Sequence, residues 1–484
     1  MTVKTQSPHH TVRFGRRPQR GLLLGFSTPR VLCFSVGFAA FSSAVFLDGL
    51  SGIIIVAPVW ATLIVLSFLT WGGRYAVEVA PTAGHFLYRL ASRQTRYRAR
   101  PSAPRPAGTL SLPGDAAALR FHLDEASGAV MVHDPHQQTL TAVARVRHPA
   151  YVLLSPDEQA RRVHGWGRVL AGLASSNCAR IQILETALPD SGHGITGWWQ
   201  ERGTKDPNQW AVGQYEELLR EGAPSTSTHR TLIAVSLDLK RAGRAIRQSG
   251  RGMRGSAAVL RQEMASFDAG LRAAELQPGG WLEAAELAGV LRGAYDPAAQ
   301  YLIDQGAAGS ALASSGPVAV DEHWDHLRHD TGYSAVLWIS EWPRVEVPSF
   351  FLHALVFQVG IRKTLSITAT PLSTQQAMRD IRKAKVESLT DSAQKARIGA
   401  IADLADDREL GDVLERERAL IGGHADLRFT GLLAVTAPDR DELEAAIAQV
   451  ERAATQAGCE TRRLVGQQAR AFTAAALPLA RKVD

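Results

Sequence analysis

Near the start of the chain the apolar positions run continuously instead of alternating. No charged residue occurs from Val31 to Leu47 or from Leu50 to Trp71, and only Asp48 and Gly49 separate the two runs. Against about 30 Å of hydrocarbon, the first run is close to the lower limit for a crossing helix and the second is comfortably long enough. So short a link, made of turn-forming residues, predicts two antiparallel helices in a hairpin with Asp48 at its tip. Pro58 should at most bend the second helix. A cleaved signal peptide fits poorly, because the segment ahead of the first run is too long and a second apolar run follows at once. A buried hairpin of a soluble protein fits poorly as well, because arginines cluster on both flanks.

After the hairpin, residues 75–80 and 85–93 are expected to lie along lipid headgroups, and Pro101, Pro104 and Pro106 to stiffen a linker. Alternation begins beyond it. Residues 119–123, 129–133 and 140–146 read as strands of a meander, with turn chemistry at Ser127-Gly128 and Asp134-Pro135. Ser155-Pro156-Asp157-Glu158 offers an N-cap, a first-turn proline and a reciprocal glutamate, so a helix should run to about Ala174. Residues 180–186 and 231–239 read as strands, and 240–310 as several helices interrupted near Gly250, Gly252 and Gly255. Strands at 334–340 and 364–370 precede a long charged helical stretch over 373–420, and another strand starts at Arg428. Asp439 can cap a helix through Glu442, with Leu443, Ile447, Val450 and Ala454 on its apolar face and Gly458 as its stop, before a strand at 461–465. Strand, helix and strand at this spacing predict an α+β sandwich of the split βαβ kind.

Charge sharpens the membrane reading. The formal net charge is +7, yet residues 1–106 hold 13 Lys and Arg against only Asp48 and Glu78, leaving the remainder net acidic. Basicity confined to one end points to an anionic surface, and direct nucleic-acid contact is not expected. Arg16, Arg17, Arg20 and Arg30 precede the hairpin, and Arg74, Arg93 and Arg96 follow it, with Trp71 suited to an interfacial belt. Positive flanks on both sides place both termini in the cytoplasm and make these residues the expected anchors to lipid at the inner membrane. Cys33, Cys178 and Cys459 are too widely spaced to suggest a disulfide framework or a zinc knuckle.

Catalytic motifs are sparse. No Gly-Lys pair occurs anywhere in the chain, which removes the phosphate cradle of a P-loop ATPase. Three imidazoles recur at His323, His326 and His329, and neutral imidazoles beside a carboxylate are competent zinc ligands. Spacing of i, i+3, i+6 drifts around a helix, however, and the expected reading is a solvated polar helix with no metal. The run from Lys240 to Arg254 holds six cations and no acid; without an aromatic residue to stack a base, it reads as an exposed basic helix.

Three blocks carry a family resemblance: Gly25-Phe26-Ser27-Thr28-Pro29-Arg30 ahead of the hairpin; Asp330-Thr331-Gly332-Tyr333 leading to Trp338-Ile339-Ser340-Glu341-Trp342-Pro343-Arg344; and Gly466-Gln467-Gln468-Ala469-Arg470-Ala471-Phe472 ending in Leu477-Pro478-Leu479. With them the chain resembles the actinobacterial integral-membrane family of conjugative elements. Its members look like the small inner-membrane subunit of type IV secretion fused to the N-terminal, non-ATPase domain of the transfer ATPase. The resemblance implies a scaffold without catalysis or cofactor. Such a scaffold recruits a separate transfer ATPase and other secretion-apparatus membrane subunits into an oligomeric assembly. A membrane component of type VII secretion shares the topology, and a membrane-tethered metal enzyme using the histidine cluster is a third reading. The expected class is α+β, a transmembrane helical hairpin followed by cytosolic mixed α/β domains with antiparallel sheets. Its divisions are a basic tail (1–30), the hairpin (31–71), a juxtamembrane segment and linker (72–110), a first cytosolic domain with a helical insertion (111–330) and a second (331–484).

Overall fold

The computed structural model describes residues 11–14, 27–71, 74–100, 102–103, 105–147, 151–189, 193–203, 206, 209–222, 227–306, 311–397 and 404–483. Arg16, Arg17 and Arg20 lie outside the described residues. The chain forms two compact units, one from residues 16–95 and one from residues 1–15 together with 96–484. A short strand, β1 (Thr11–Val12), therefore belongs to the second unit although it precedes the hairpin.

In the smaller unit, α1 (Thr28–Phe68) leaves helical geometry at Gly49, where φ is 55° and ψ is −132°. Only glycine reaches that conformation without strain, so the link predicted from Asp48-Gly49 forms where expected. The two legs, Thr28–Leu47 and Gly49–Phe68, are each 20 residues long, with mean hydropathy 1.8 and 2.3, and both are long and apolar enough to cross a membrane. They run antiparallel: Phe41 meets Trp60 at 5.1 Å, Phe34 meets Phe68 at 6.1 Å, and Cys33 Sγ donates to the Leu63 carbonyl at 3.4 Å. A two-residue ladder, β2 (Thr70–Trp71) with β3 (Arg74–Tyr75), leads into α2 (Ala76–Ala91).

Arg30 has a different surrounding from the one its place beside the hairpin suggests. It is buried in the protein: Nε donates to the Ser67 carbonyl at 3.0 Å, and the guanidinium lies 3.4 Å from the centre of the Tyr75 ring. It thus satisfies an orphan carbonyl in the last turn of the second leg, where a cation also meets the negative end of the helix dipole.

The larger unit is built on one sheet. Its elements in chain order are β4 (Arg96–Arg98), β5 (Arg120–Leu123), β6 (Val130–Asp134), β7 (Thr139–Arg147), α3 (Pro156–Ser175), β8 (Cys178–Pro189), α4 (His193–Arg202), α5 (Trp210–Gly222), β9 (Ser227–Asp238), α6 (Gly243–Gln248), α7 (Gly252–Ala273), β10 (Gln277–Trp281), α8 (Ala284–Tyr295) and α9 (Gln300–Asp304). There follow β11 (Ala319–Glu322), β12 (Leu327–His329), β13 (Gly332–Glu341), β14 (Val347–Pro348), α10 (His353–Val356), β15 (Arg362–Pro371), α11 (Thr374–Arg397), α12 (Leu404–Ile421), β16 (Leu427–Ala437), α13 (Arg440–Gln456), β17 (Glu460–Arg463) and α14 (Gln468–Ala476). Thirteen strands pair in the order β4-β11-β12-β13-β16-β15-β8-β9-β7-β6-β5, with β10 added to β7 and β17 to β13. Every pairing among the described residues is antiparallel.

The expected boundary at 330/331 thus falls in the turn of a hairpin, β12 to β13, inside a continuous sheet. Arg96 is exposed in edge strand β4, opposite Asp321. Arg93 is exposed just after α2.

Helices cover both faces of the sheet. One face sends Leu184, Leu232, Val336 and Ala434 against α8 and α14. The other sends Leu337 and Val435 against Leu443, Ile447 and Val450 of α13, and Ile181 and Ile233 against α3 and α7. Local signals form as expected. Ser155 and Glu158 make the reciprocal capping box, and Asp439 accepts from the Glu442 amide at 2.8 Å. Parallel β16 and β17 flank β13 with α13 between them in sequence, which is the split βαβ unit.

Candidate functional site

The Trp338–Arg344 block spans the end of β13 and the turn after it. Trp338 is half-buried on the strand, opposite Leu432 of β16 and Arg462 of β17. Trp342 leaves the strand and turns back over the sheet, 5.3 Å from Phe429 and 6.3 Å from Phe351. Gly431 makes this possible, since a Cβ there would stand 2.7 Å from the indole. Pro343 is buried beside Gly458. Arg344 is exposed and paired with Glu341, with Glu460 3.8 Å away. Beside these residues lies an open groove of about 590 Å³, lined also by Val347, Pro348 and Phe351.

One end of this surface is occupied by the chain's own N-terminal segment. Thr11 pairs with Pro348 and Val12 with Val347. Arg13 reaches α12, 2.6 Å from Asp412 and 3.5 Å from Glu415. Phe14 stacks on Trp342 at 5.2 Å and meets Phe351 edge-on at 5.3 Å. Strand addition, an ion pair and an inserted ring together form a recognition mode for an extended peptide. Phe14, Phe351 and Phe429 did not stand out in the sequence and Arg13 reads there only as one of the basic residues ahead of the hairpin, although an aromatic residue beside cations in a polar tail was an available signal.

The C-terminal block is structural. Gln468 is buried, accepting from the Val336 amide at 2.9 Å and donating to the Leu464 carbonyl at 2.8 Å. Phe472 and Pro478 are buried, and half-buried Gln467 precedes α14.

The histidine cluster is not on a helix. Residues 319–329 form the hairpin β11 to β12, so the expected solvated polar helix is replaced by two short strands and a turn. His323 and His326 stack at 4.4 Å, and His326 Nδ1 meets Asp325 at 2.8 Å. His329 lies in the core, with Nδ1 2.7 Å from the Tyr295 carbonyl oxygen and Nε2 2.7 Å from Ser334 Oγ. Burial pushes its pKa down to about 4. Among the described residues no three side chains are grouped to hold a metal.

The basic run spans α6 and the start of α7, with Arg244, Arg247, Arg251 and Arg254 exposed. Arg241 is tied down, donating to the carbonyls of Ser176 and Cys178. Burial raises the Cys178 thiol to about 12 and the Cys459 thiol to about 11.

Comparison with protein-family models and with curated proteins returns no match for this chain.

Proposed function

We propose that the chain is a non-catalytic inner-membrane scaffold subunit of a type IV secretion-like conjugative transfer apparatus, which recruits a separate P-loop ATPase. The observation that carries this reading is that Thr11–Phe14, ahead of the apolar hairpin, belongs to the same compact body as residues 96–484 behind it. A chain whose two flanks share one body crosses a bilayer an even number of times. Two spans of 20 residues meet that requirement.

The hairpin's surface supports insertion. Only 17% and 6% of the two apolar windows are buried, and Phe46, Leu47, Leu50 and Ile55 are almost fully exposed. A soluble protein would bury such a surface. Positive charge on both flanks then puts the body, with both termini, in the cytoplasm. The assignment to conjugative transfer rests on the Trp338–Arg344 and Gln467–Leu479 resemblance, and the chain's lack of a Gly-Lys pair agrees with a motor on another polypeptide.

Cysteine labelling and copurification test this reading. Asp48→Cys should react with an impermeant maleimide on intact cells, and Ala445→Cys only after permeabilisation. The full chain, extracted in mild detergent, should bring a P-loop ATPase with it. Recovery in the aqueous fraction, labelling of Ala445→Cys from outside, or purification without any ATPase would overturn the proposal.

A further inference from the structure

At one end of the α8/α14 face, the sheet presents a polar band where apolar packing would be expected. Register places Arg230 of β9 opposite Thr186 of β8, Thr186 opposite Thr364 of β15, and Arg362 of β15 opposite Thr436 of β16. Directly opposed residues share a face, so two guanidiniums and three hydroxyls converge beneath α8. Between them lies a small cavity of about 20 Å³, lined also by Val290 and Ala294 of α8 and by Phe472 of α14.

The two arginines differ in what they touch. Arg362 is held through Nη2, which donates to the Gly293 carbonyl at 2.6 Å and to Gln300 Oε1 at 3.1 Å and so ties the last turn of α8 to the sheet. Arg230 has no hydrogen-bond or ion-pair partner among the described residues, and its Nε is sealed from solvent. The nearby acids hydrogen-bond to other groups. Glu185 is taken by His229 and Thr231, Glu286 by Arg145, and exposed Asp304 accepts from Gln300 at 2.8 Å. Desolvation lowers the pKa of both arginines, that of Arg362 to about 10, although the charge of Asp304 raises both.

Arg230 as a whole is half-buried, but its Nε is sealed, and a guanidinium donor that has lost its water without gaining an acceptor is costly. We infer that the cavity between Arg230, Arg362 and the hydroxyls of Thr186, Thr364 and Thr436 is a binding site for one small monovalent anion of chloride size. The dimensions set the class. A cavity needs roughly 10–15 Å³ to admit a water-sized occupant, so this one admits a single halide-sized ion and excludes phosphate. The anion supplies the acceptor that Arg230 Nε lacks and fastens the end of α8 to β9 and β15.

Thermal unfolding of the full chain in detergent, with sodium gluconate exchanged for sodium chloride at constant ionic strength, tests the site. Chloride should raise the melting temperature saturably, by about 1–3 °C, and bromide should do the same. R230M, which keeps an unbranched apolar stem without the guanidinium, should fold and lose the response. T436V, which keeps both guanidiniums, should fold and weaken it. Crystals grown in bromide should show an anomalous peak within hydrogen-bonding distance of Arg230 Nε. Equal responses of wild type and R230M, or a bromide-soaked crystal without that peak, would assign the cavity to water and overturn the inference.

Discussion

Removing the indole at position 342 and the ring at position 14, singly and together, tests whether the N-terminal segment is held by the aromatic socket. Trp342 packs on Phe429, Phe351 and Phe14, and it fills the space that Gly431 leaves open. Truncating a fully buried Trp or Phe costs about 3–5 kcal/mol. Trp342 is half-buried, so Trp342→Ala should cost about 2–4 kcal/mol. Phe14 is half-buried, and Phe14→Ala should cost about 1–2 kcal/mol. A stacked pair contributes about 0.5–1.5 kcal/mol beyond its buried area, so the double variant should be less destabilised than the sum by about 1 kcal/mol. Urea denaturation of the full chain in detergent, followed by circular dichroism, gives the cycle. Trypsin gives an independent reading: Arg13 is held by Asp412 and Glu415, and cleavage after it should accelerate in Phe14→Ala and in Trp342→Ala. Additive destabilisation within about 0.5 kcal/mol, with unchanged cleavage after Arg13, would refute the docking of the tail through this ring pair.

Other perturbations probe the body. Gln182 spans the sheet and the C-terminal segment, donating to Ser366 Oγ and to the Ala474 and Leu477 carbonyls while accepting from the Ala480 amide. Gln182→Leu strands these buried groups and should cost about 2–4 kcal/mol by denaturant titration. His329 has its folded pKa lowered to about 4, below the unfolded value of about 6.5. The unfolded state therefore binds the proton first. Stability present above pH 6.5 should fall as pH drops toward 4, by at most about 3 kcal/mol, and His329→Gln should flatten this part of a melting-temperature profile. With thiols raised to about 12 and 11, Cys178 and Cys459 should resist maleimide at pH 7.5 until the body unfolds, as read by mass spectrometry.

What the sequence revealed follows the range of the interactions involved. The hairpin needs only composition and a two-residue link, and the helices at Ser155 and Asp439 are fixed by contacts three residues apart, so all were legible. The histidine cluster misled for the converse reason. A three-residue strand such as β12 is too short to show alternation, and spacing by three imitates a helix. What fixes the hairpin is Asp330, accepting from the amides of Val318 and Ala319 at its open end, together with Tyr295 from a distant helix. The single sheet across residue 330 was hidden likewise, because the neighbours of β15 are β8 and β16, and β8 comes from far back in the chain. Arg30 was read by the charge rule, which counts flanking cations without asking which of them caps a helix.

The two flanks of the hairpin enter the larger unit with unequal strength. The front flank enters through β1, which contributes two paired residues, the partly exposed ion pairs of Arg13 and the ring of Phe14. Exposed ion pairs add between zero and about 1 kcal/mol each, so this attachment amounts to a few kcal/mol. The rear flank enters through β4, paired over three residues with β11, where Tyr97 packs on the main core and donates to the Ser111 carbonyl, and Arg98 meets Asp321 at 2.8 Å. Detaching β4 would open a buried edge of the large sheet, whereas detaching β1 opens only a two-residue ladder. The tail is therefore the releasable contact and β4 the permanent tether. A body loosened at Phe14 should stay attached to its hairpin and present the Trp342 surface uncovered.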